Sequence, residues 1–228
     1  AVITDAGEMH RLYAAEFGLD TTYIADGANT AESANPDAVR KYGLEPGRYF
    51  LIASRLVPDN NADLILRAFA GVKTDMLFAV AGGADYRGNT VERKLMDRLK
   101  AVADDRVRFL GHVNSAEDVR ELHCNCFAYV HGHQFGGINP SLLKALGFGN
   151  MIFALDTPFN AEVLDAGKYG ILFSKDPTDL AAKIQSICDR PETAAEFRAK
   201  ARDRIAQRFT WDLIADQYES LFRRLAGG

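Results

Sequence analysis

The stretch His131-Gly132-His133-Gln134-Phe135-Gly136-Gly137-Ile138-Asn139-Pro140-Ser141-Leu142-Leu143-Lys144 holds the densest set of residues able to do chemistry. Just before it, Phe127-Ala128-Tyr129-Val130 is apolar, aromatic and β-branched, the pattern of a buried strand. Gly136 and Gly137 break the chain after that strand. Asn139 is a good helix N-cap, and Pro140 fits the first helical position, where its missing N–H costs nothing. Strand, paired glycines and capped helix leave free backbone N–H groups and a positive dipole end at the carboxyl edge of a sheet, which suits an anion such as phosphate. The same residues also serve as a plain connecting turn.

Arg55 is the second candidate. It follows a strand end, and its planar fork of donors suits a phosphate. The other reading is a surface arginine paired with Asp59. His131 and His133 alternate along one strand and could face the same way. Zinc would need at least a third ligand, and His112, His123 and Cys124 have no spacing that supports them. A histidine at a strand end more often bonds a neighbour or a substrate. No Gly-x-Gly-x-x-Gly follows the first strand, and there is no Walker loop and no Gly-x-Ser-x-Gly elbow.

The elements that must position these residues alternate regularly. Strands are expected at Ala1–Thr4, Thr21–Ala25, Arg48–Ala53, Met76–Ala81, Val107–Leu110, Phe127–Val130, Met151–Ala154 and Tyr169–Phe173. Helices are expected at Gly7–Phe17 (Met9, Leu12, Tyr13 and Phe17 on or near one face), Asn61–Val72 (Leu64, Ile65, Ala68 and Phe69 inward), Thr90–Val102, Ser115–His123, Ser141–Ala145 and Asn160–Ala166. From Pro177 onward the chain reads as helical, in segments Asp179–Cys188, Glu192–Arg208 and Trp211–Leu225. Thr210 caps the last, which carries Trp211, Ile214, Tyr218 and Leu221 at helical spacing. Ala28–Pro36 is small, polar and without periodicity, the best linker in the chain. Near-continuous apolar strands alternating with helices predict an α/β fold, a doubly wound parallel sheet with a helical C-terminal tail. Ligands bind at the carboxyl ends of such strands. The loops there are Arg55–Asn60, Gly82–Gly88, His112–Asn114, His131–Asn139 and Asp156–Asn160.

With 228 residues, 47% of them hydrophobic and 25% charged, the composition is that of a globular protein with a sizeable core. A net charge of -4 gives no basic footprint for nucleic acid. No apolar run approaches the roughly 20 residues of a membrane span, and the first residues do not read as a signal peptide. Three cysteines, Cys124, Cys126 and Cys188, are an odd and sparse set that suits a reduced cytosol. The chain opens on Ala1 inside a strand and reads as a fragment or a processed product.

Four segments occur in an order that resembles retaining GT-B glycosyltransferases: Asp26-Gly27, Ala53-Ser54-Arg55-Leu56-Val57-Pro58-Asp59-Asn60-Asn61, Gly136-Gly137-Ile138-Asn139-Pro140-Ser141-Leu142-Leu143, and Phe209-Thr210-Trp211. The chain is similar to the family 4 branch, and most to its bacterial rhamnosyltransferase-like members. The resemblance covers essentially the whole chain. It implies the Rossmann-like C-terminal half of a GT-B fold: residues 1–30 as the last strand-helix-strand of the acceptor-binding half, 31–208 as the nucleotide-sugar donor domain, and 209–228 as a helix crossing back.

It further implies that Gly136, Gly137, Ile138, Asn139 and Ser141 hold the diphosphate and sugar, that Arg55 contacts the diphosphate, and that His112 and Val113 lie where the base is held. Gly82, Asn60, His131 and Lys144 complete the donor-binding set, and Arg55 and His133 are the candidate catalytic residues. Asn60 stands where the family commonly has Lys, and Ile138 where Thr is usual. The family's acidic pair falls on Gly136 and Lys144. An ammonium has donors only, so Lys144 implies a phosphate contact, an altered nucleotide preference or an inactive protein. The implied activity is transfer of a sugar from a nucleoside-diphosphate sugar to a glycan or lipid-linked acceptor, with retention, in polysaccharide biosynthesis. No cofactor or obligatory metal is implied. The location is the cytoplasm, at the inner membrane face if the acceptor is lipid-linked. A nucleotide-sugar epimerase and a non-catalytic nucleotide-sugar-binding homologue are the competing readings.

Overall fold

The computed structural model describes residues 1–83 and 90–227, the side chains of 90–93 excepted. The chain begins with β1 (Ile3–Thr4), α1 (Gly7–Phe17) and β2 (Thr22–Tyr23), and the two strands pair in parallel as a small sheet of their own. Then come β3 (Tyr49–Ala53), α2 (Ala62–Ala70), β4 (Leu77–Ala81), α3 (Thr90–Val102), β5 (Val107–Gly111), α4 (Ala116–Cys124) and β6 (Ala128–His131). They are followed by α5 (Pro140–Gly147), β7 (Ile152–Leu155), α6 (Pro158–Val163), β8 (Ile171–Phe173), α7 (Pro177–Cys188), α8 (Pro191–Arg208) and α9 (Trp211–Ala226). Strands β3 to β8 form one parallel sheet in the order β5-β4-β3-β6-β7-β8.

The inner strands β3, β4, β6 and β7 bury both faces, which is why their sequences are apolar without alternation; edge strand β5 keeps Arg108 exposed. Tyr49 and Leu51 of β3 join Tyr129, Ile152 and Ala154 in a core closed by Leu142 and Leu146 of α5, Val163 of α6, Ile205 of α8 and Ile214 of α9. Phe50 and Ile52 join Phe78, Val130 and Phe153 on the opposite face, closed by Ile65 and Phe69 of α2, Leu99 of α3 and Ile184 of α7. Phe50 meets Phe69 and Phe127 edge-on, at 5.6 and 5.4 Å between ring centroids, and stacks on Phe78 at 6.1 Å. The α/β, doubly wound architecture is as the alternation predicts.

Several local expectations are corrected. The 28–36 stretch is fastened to the main sheet's domain. The Ala28 N–H donates to Phe209 O (2.8 Å), and the Ala31 N–H to Gly147 O (3.1 Å). The Ser33 hydroxyl and the Ala34 N–H donate to the buried Glu121 carboxylate. Burial alone would raise the pKa of Glu121, yet those bonds and Arg120 hold it down at about 2. A 3-10 helix, Pro36–Tyr42, follows where none was expected; Pro36 opens it and Gly43 (φ 70°) closes it. Helix α6 starts earlier than expected because Thr157 caps it, accepting the Asn160 N–H, with Pro158 at its first turn. It ends before Asp165 and Ala166, both at φ 52°. Phe17 is exposed, and Leu66 is buried more deeply than the expected Leu64. Trp211 is half exposed, but its ring covers Gly27 so closely that a Cβ there would come within 2.6 Å of it. Residues 84–88 of the loop expected after β4 lie outside the described residues.

His123 of α4 is buried with its Nδ1 bonded to Asn150 Oδ1 at 2.9 Å. Burial pushes its pKa down from 6.5 to about 4, against the opposing pull of Asn150. The unfolded chain therefore takes up this proton first as pH falls. The contribution is complete above about pH 6.5 and is lost progressively toward pH 4. In urea titrations across that window, His123→Gln should flatten the fall in stability, by at most ~1.4 kcal/mol per pH unit. An unchanged slope would show that His123 is not buried neutral.

Candidate functional site

Strand β3 lies at the centre of the sheet; the chain runs outward to β4 and β5, then returns to place β6 on β3's other side. The order reverses between β3 and β6, so a crevice opens at their carboxyl ends. Arg55 leaves the end of β3, and Gly132-His133 leave the end of β6. Both sequence candidates therefore flank the topological switch point.

Three asparagines hold these ends together. Asn61, in the left-handed region at φ 49°, donates its side-chain amide to Gly132 O (2.8 Å) and Asp59 O (3.1 Å). Asn160 donates to His133 O and Leu155 O, both at 2.9 Å. Asn60 donates to Arg55 O and to Ser54 Oγ, while its Oδ1 faces His133 Nδ1 at 2.9 Å. Because the Asn60 nitrogen is committed to a carbonyl, His133 Nδ1 carries the proton and Nε2 is the acceptor of the neutral ring. Burial lowers the pKa of His133 and Arg55 adds to this, against Asp59 and the Phe135 carbonyl. Only Asn60 of the three was a candidate from sequence. An Asn-Asn pair after Pro58-Asp59 is a signal for a left-handed residue; nothing local marks Asn160.

Gly136 and Gly137 turn the chain at φ 114° and 89°, a region that side chains rarely enter. Asn139 caps α5, accepting the Ser141 N–H at 2.9 Å, and Pro140 is its first residue. The expected anion-suited helix start is thus formed beside His133. Ile138 is buried in the core, so its side chain does not face the crevice. Arg55 is exposed and, among the described residues, forms no ion pair with Asp59 or any other acid. Gly82 belongs to the same edge: a Cβ on it would overlap the Ser54 carbonyl, and its N–H donates to Gly111 O at 2.8 Å. His112 and Val113 follow β5, two strands from β3, with His112 exposed and Val113 partly covered by the core.

Two candidates stand apart. His131 is 3% exposed; burial and His133 push its pKa down to about 3, and its Nε2 has no partner among the described residues. It lies behind His133, with ring centroids 6.0 Å apart. Lys144 is exposed in the last turn of α5, about 6 Å along the axis from Pro140, where an ammonium complements the carbonyl end of the dipole. One residue unmarked in the sequence also reaches the turn: Asp5, whose carboxylate stands against Gly137. Among the described residues, no group of three or more His, Cys, Asp or Glu is arranged to hold a metal ion.

The family model of the glycosyl transferases group 1 matches residues 35–204, from the first 3-10 helix into α8. The chain belongs to this family. It is 26% identical over 202 residues to glycogen synthase 1 of Bradyrhizobium diazoefficiens, covering 86% of this chain and 42% of that protein. It spans less than half the length of the curated relatives it matches. Among solved structures, sucrose-phosphate synthase from Thermosynechococcus elongatus superposes with a TM-score of 0.83 at 21% identity, covering 99% of this chain and 58% of that one. Anabaena HepE in complex with UDP-glucose gives 0.84 at 17% identity, covering 100% of this chain and 64% of that one. These likenesses establish a GT-B glycosyltransferase fold.

In this group 1 domain the junction of β3 and β6 tolerates no side chain at Gly132, because a Cβ would overlap the Asn60 carbonyl and come within 2.9 Å of Ile65 Cδ1. Gly132→Ala is expected to destabilise by about 2–4 kcal/mol, at and above the upper end of ordinary overpacking because the clash is with backbone. The thermal midpoint should fall by roughly 5–15 °C. A shift under ~2 °C would mean that the ends of β3 and β6 are looser than this geometry requires.

Proposed function

We propose that this chain is the donor-binding portion of a retaining glycosyltransferase that takes a nucleoside-diphosphate sugar. One observation carries the reading: at the sheet's switch point, Arg55, in no ion pair among the described residues, and the glycine-led N-terminus of α5 lie at one edge. The leaving diphosphate lies against the Arg55 guanidinium and the backbone N–H groups of Ile138 and Asn139 at the start of α5, the Ser141 N–H being taken by the Asn139 cap. These fixed donors meet the charge that builds as the glycosidic bond breaks, a catalytic effect of the oxyanion-hole kind. His133, neutral and held by Asn60, meets the glycosyl group, and His112 and Val113 meet the base farther along the edge. No metal is required in this reading, since the guanidinium and the helix dipole supply the positive field.

Residues 1–30 are read as the end of the acceptor-binding half, 31–208 as the donor domain and 209–228 as a return helix. The separate β1–β2 sheet and the lie of Trp211 on Gly27 support this division. The acceptor is a glycan or a lipid-linked saccharide, and the setting is polysaccharide biosynthesis. HepE, solved with UDP and with UDP-glucose, supports a nucleotide-sugar donor. The rhamnosyltransferase-like, family 4 assignment rests on the motif from Gly136 to Leu143. No described helix is long and apolar enough to cross a membrane; a cytoplasmic protein working at the inner membrane face fits a lipid-linked acceptor.

Lys144 keeps one alternative in view, a homologue whose donor site is disabled. Calorimetric titration of the wild type with UDP, GDP and dTDP separates the two readings. Selective binding of one nucleotide is expected, weakened about 10- to 100-fold by Arg55→Ala, the worth of a charged hydrogen-bonding partner. Binding recovered only in Lys144→Glu would establish the disabled homologue, and silence in every variant would remove the donor site from this crevice.

A further inference from the structure

Asp5 follows β1, and its position is set from the main domain. The next turn is gripped by Glu162 of α6, whose carboxylate accepts the Gly7 N–H at 2.9 and 3.2 Å and so serves the open N-terminus of α1 from another element. That grip leaves the Asp5 carboxylate over Gly137, with its Cγ 2.7 Å from where a Cβ of Gly137 would stand. The missing side chain at 137 thus makes room for a carboxylate from the far end of the sequence.

This carboxylate is unusual in having so little to balance it. It is part-buried, and among the described residues it accepts no bond from another side chain and joins no ion pair. Burial raises its pKa, and the nearby Asp26 and Glu162 add to the rise, against only its own backbone N–H. A carboxylate that merely complemented the α5 dipole would take an N–H from that helix, but Asn139 already occupies the Ser141 N–H. A diphosphate would be repelled by an acceptor-only group. A polyol would not, since its hydroxyls are donors. Along the same turn, His133 Nε2, also an acceptor, lies 3.7 Å from the Cβ position of Gly136. The crevice therefore carries both characters: Arg55 and the start of α5 offer donors, while Asp5 and His133 offer acceptors along the Gly136-Gly137 turn.

We infer that Asp5 is a sugar-reading residue: its carboxylate accepts hydrogen bonds from hydroxyls of the donor's glycosyl group on the Gly137 side of the turn. The inference rests on the donor-site reading above and adds a specificity-determining residue from outside the 35–204 family match.

The test compares each nucleotide with its sugar conjugate: UDP with UDP-glucose, GDP with GDP-mannose, dTDP with dTDP-rhamnose. Wild type, Asp5→Ala and Asp5→Asn are titrated calorimetrically, with thermal midpoints recorded for each. The wild type should bind one conjugate more tightly than its nucleotide. Asp5→Ala should weaken that conjugate about 10- to 100-fold and leave the free nucleotide within about twofold. Asp5→Asn, whose amide oxygen still accepts without charge, should fall between, and it carries the test if the alanine variant unfolds. Equal shifts for conjugate and nucleotide in either direction, no shift in either, or a wild-type conjugate no tighter than its nucleotide would overturn the role of Asp5 alone. Wild type that binds none of the six compounds would instead overturn the donor site itself, and this inference with it.

Discussion

The close approach of β3 and β6 at their carboxyl ends is the constraint on which the rest of the site depends. Parallel neighbours in a sheet sit about 4.8 Å apart, and their ends normally splay into separate loops. Here the Asn60 carbonyl packs where Gly132 would carry a side chain, and Asn61 reaches across to the Gly132 carbonyl. The left-handed backbone at Asn61 aims that amide; a residue lacking a local polar side chain would pay a steric penalty there. With the two strand ends joined, Arg55 and His133 become parts of one wall. Asn160 ties β7 to the same junction, so that the glycine turn leaves from a fixed point.

That fixed junction explains the protonation pattern as well. Asn60 is bound by carbonyl geometry to present its oxygen to His133, so the ring keeps one tautomer and exposes the other nitrogen as an acceptor. Behind it, His131 is too deeply buried to carry charge, and its neighbour would repel a second proton. Two adjacent histidines that look alike in the sequence thus differ in kind. His133 is a solvent-reaching polar group with a defined lone pair, whereas His131 fills a pocket in the core beside Tyr129.

What was legible in the sequence follows from which interactions are local. The strands of the main sheet are short apolar runs between turn residues, and each fell within a residue or two of its expected place. The α5 start was legible because Asn139-Pro140 encodes a cap through adjacent atoms. Arg55 and the glycine turn could be placed on one edge because a parallel sheet has only one carboxyl edge. Long-range partners were not legible. The 28–36 stretch read as a linker, and what fastens it was not legible because its partner, the Glu121 carboxylate, lies 87 and 88 positions from Ala34 and Ser33. Lys144 read as part of the donor site by its spacing from Gly136; in the fold it stands about one turn along α5 from the cap, on the exposed face. Asn160 and Asp5 carry no local signature at all, because their roles exist only once α6 and the β1 turn have been brought to the junction.

The contact of the first segment with the main domain has a consequence for how the site is assembled. Helix α1 has no side-chain cap of its own, since Ala6 precedes it, and its first N–H is answered by Glu162. Helix α6, which carries Glu162, also carries Asn160 two residues earlier, on the stretch capped by Thr157. A single short helix therefore holds the His133 carbonyl with one residue and the segment bearing Asp5 with another. Any movement of α6 would shift both sides of the glycine turn together. A residue from the beginning of the chain can thus keep a defined distance from a turn more than 130 positions away, although the strands β1 and β2 share no hydrogen bonds with the main sheet.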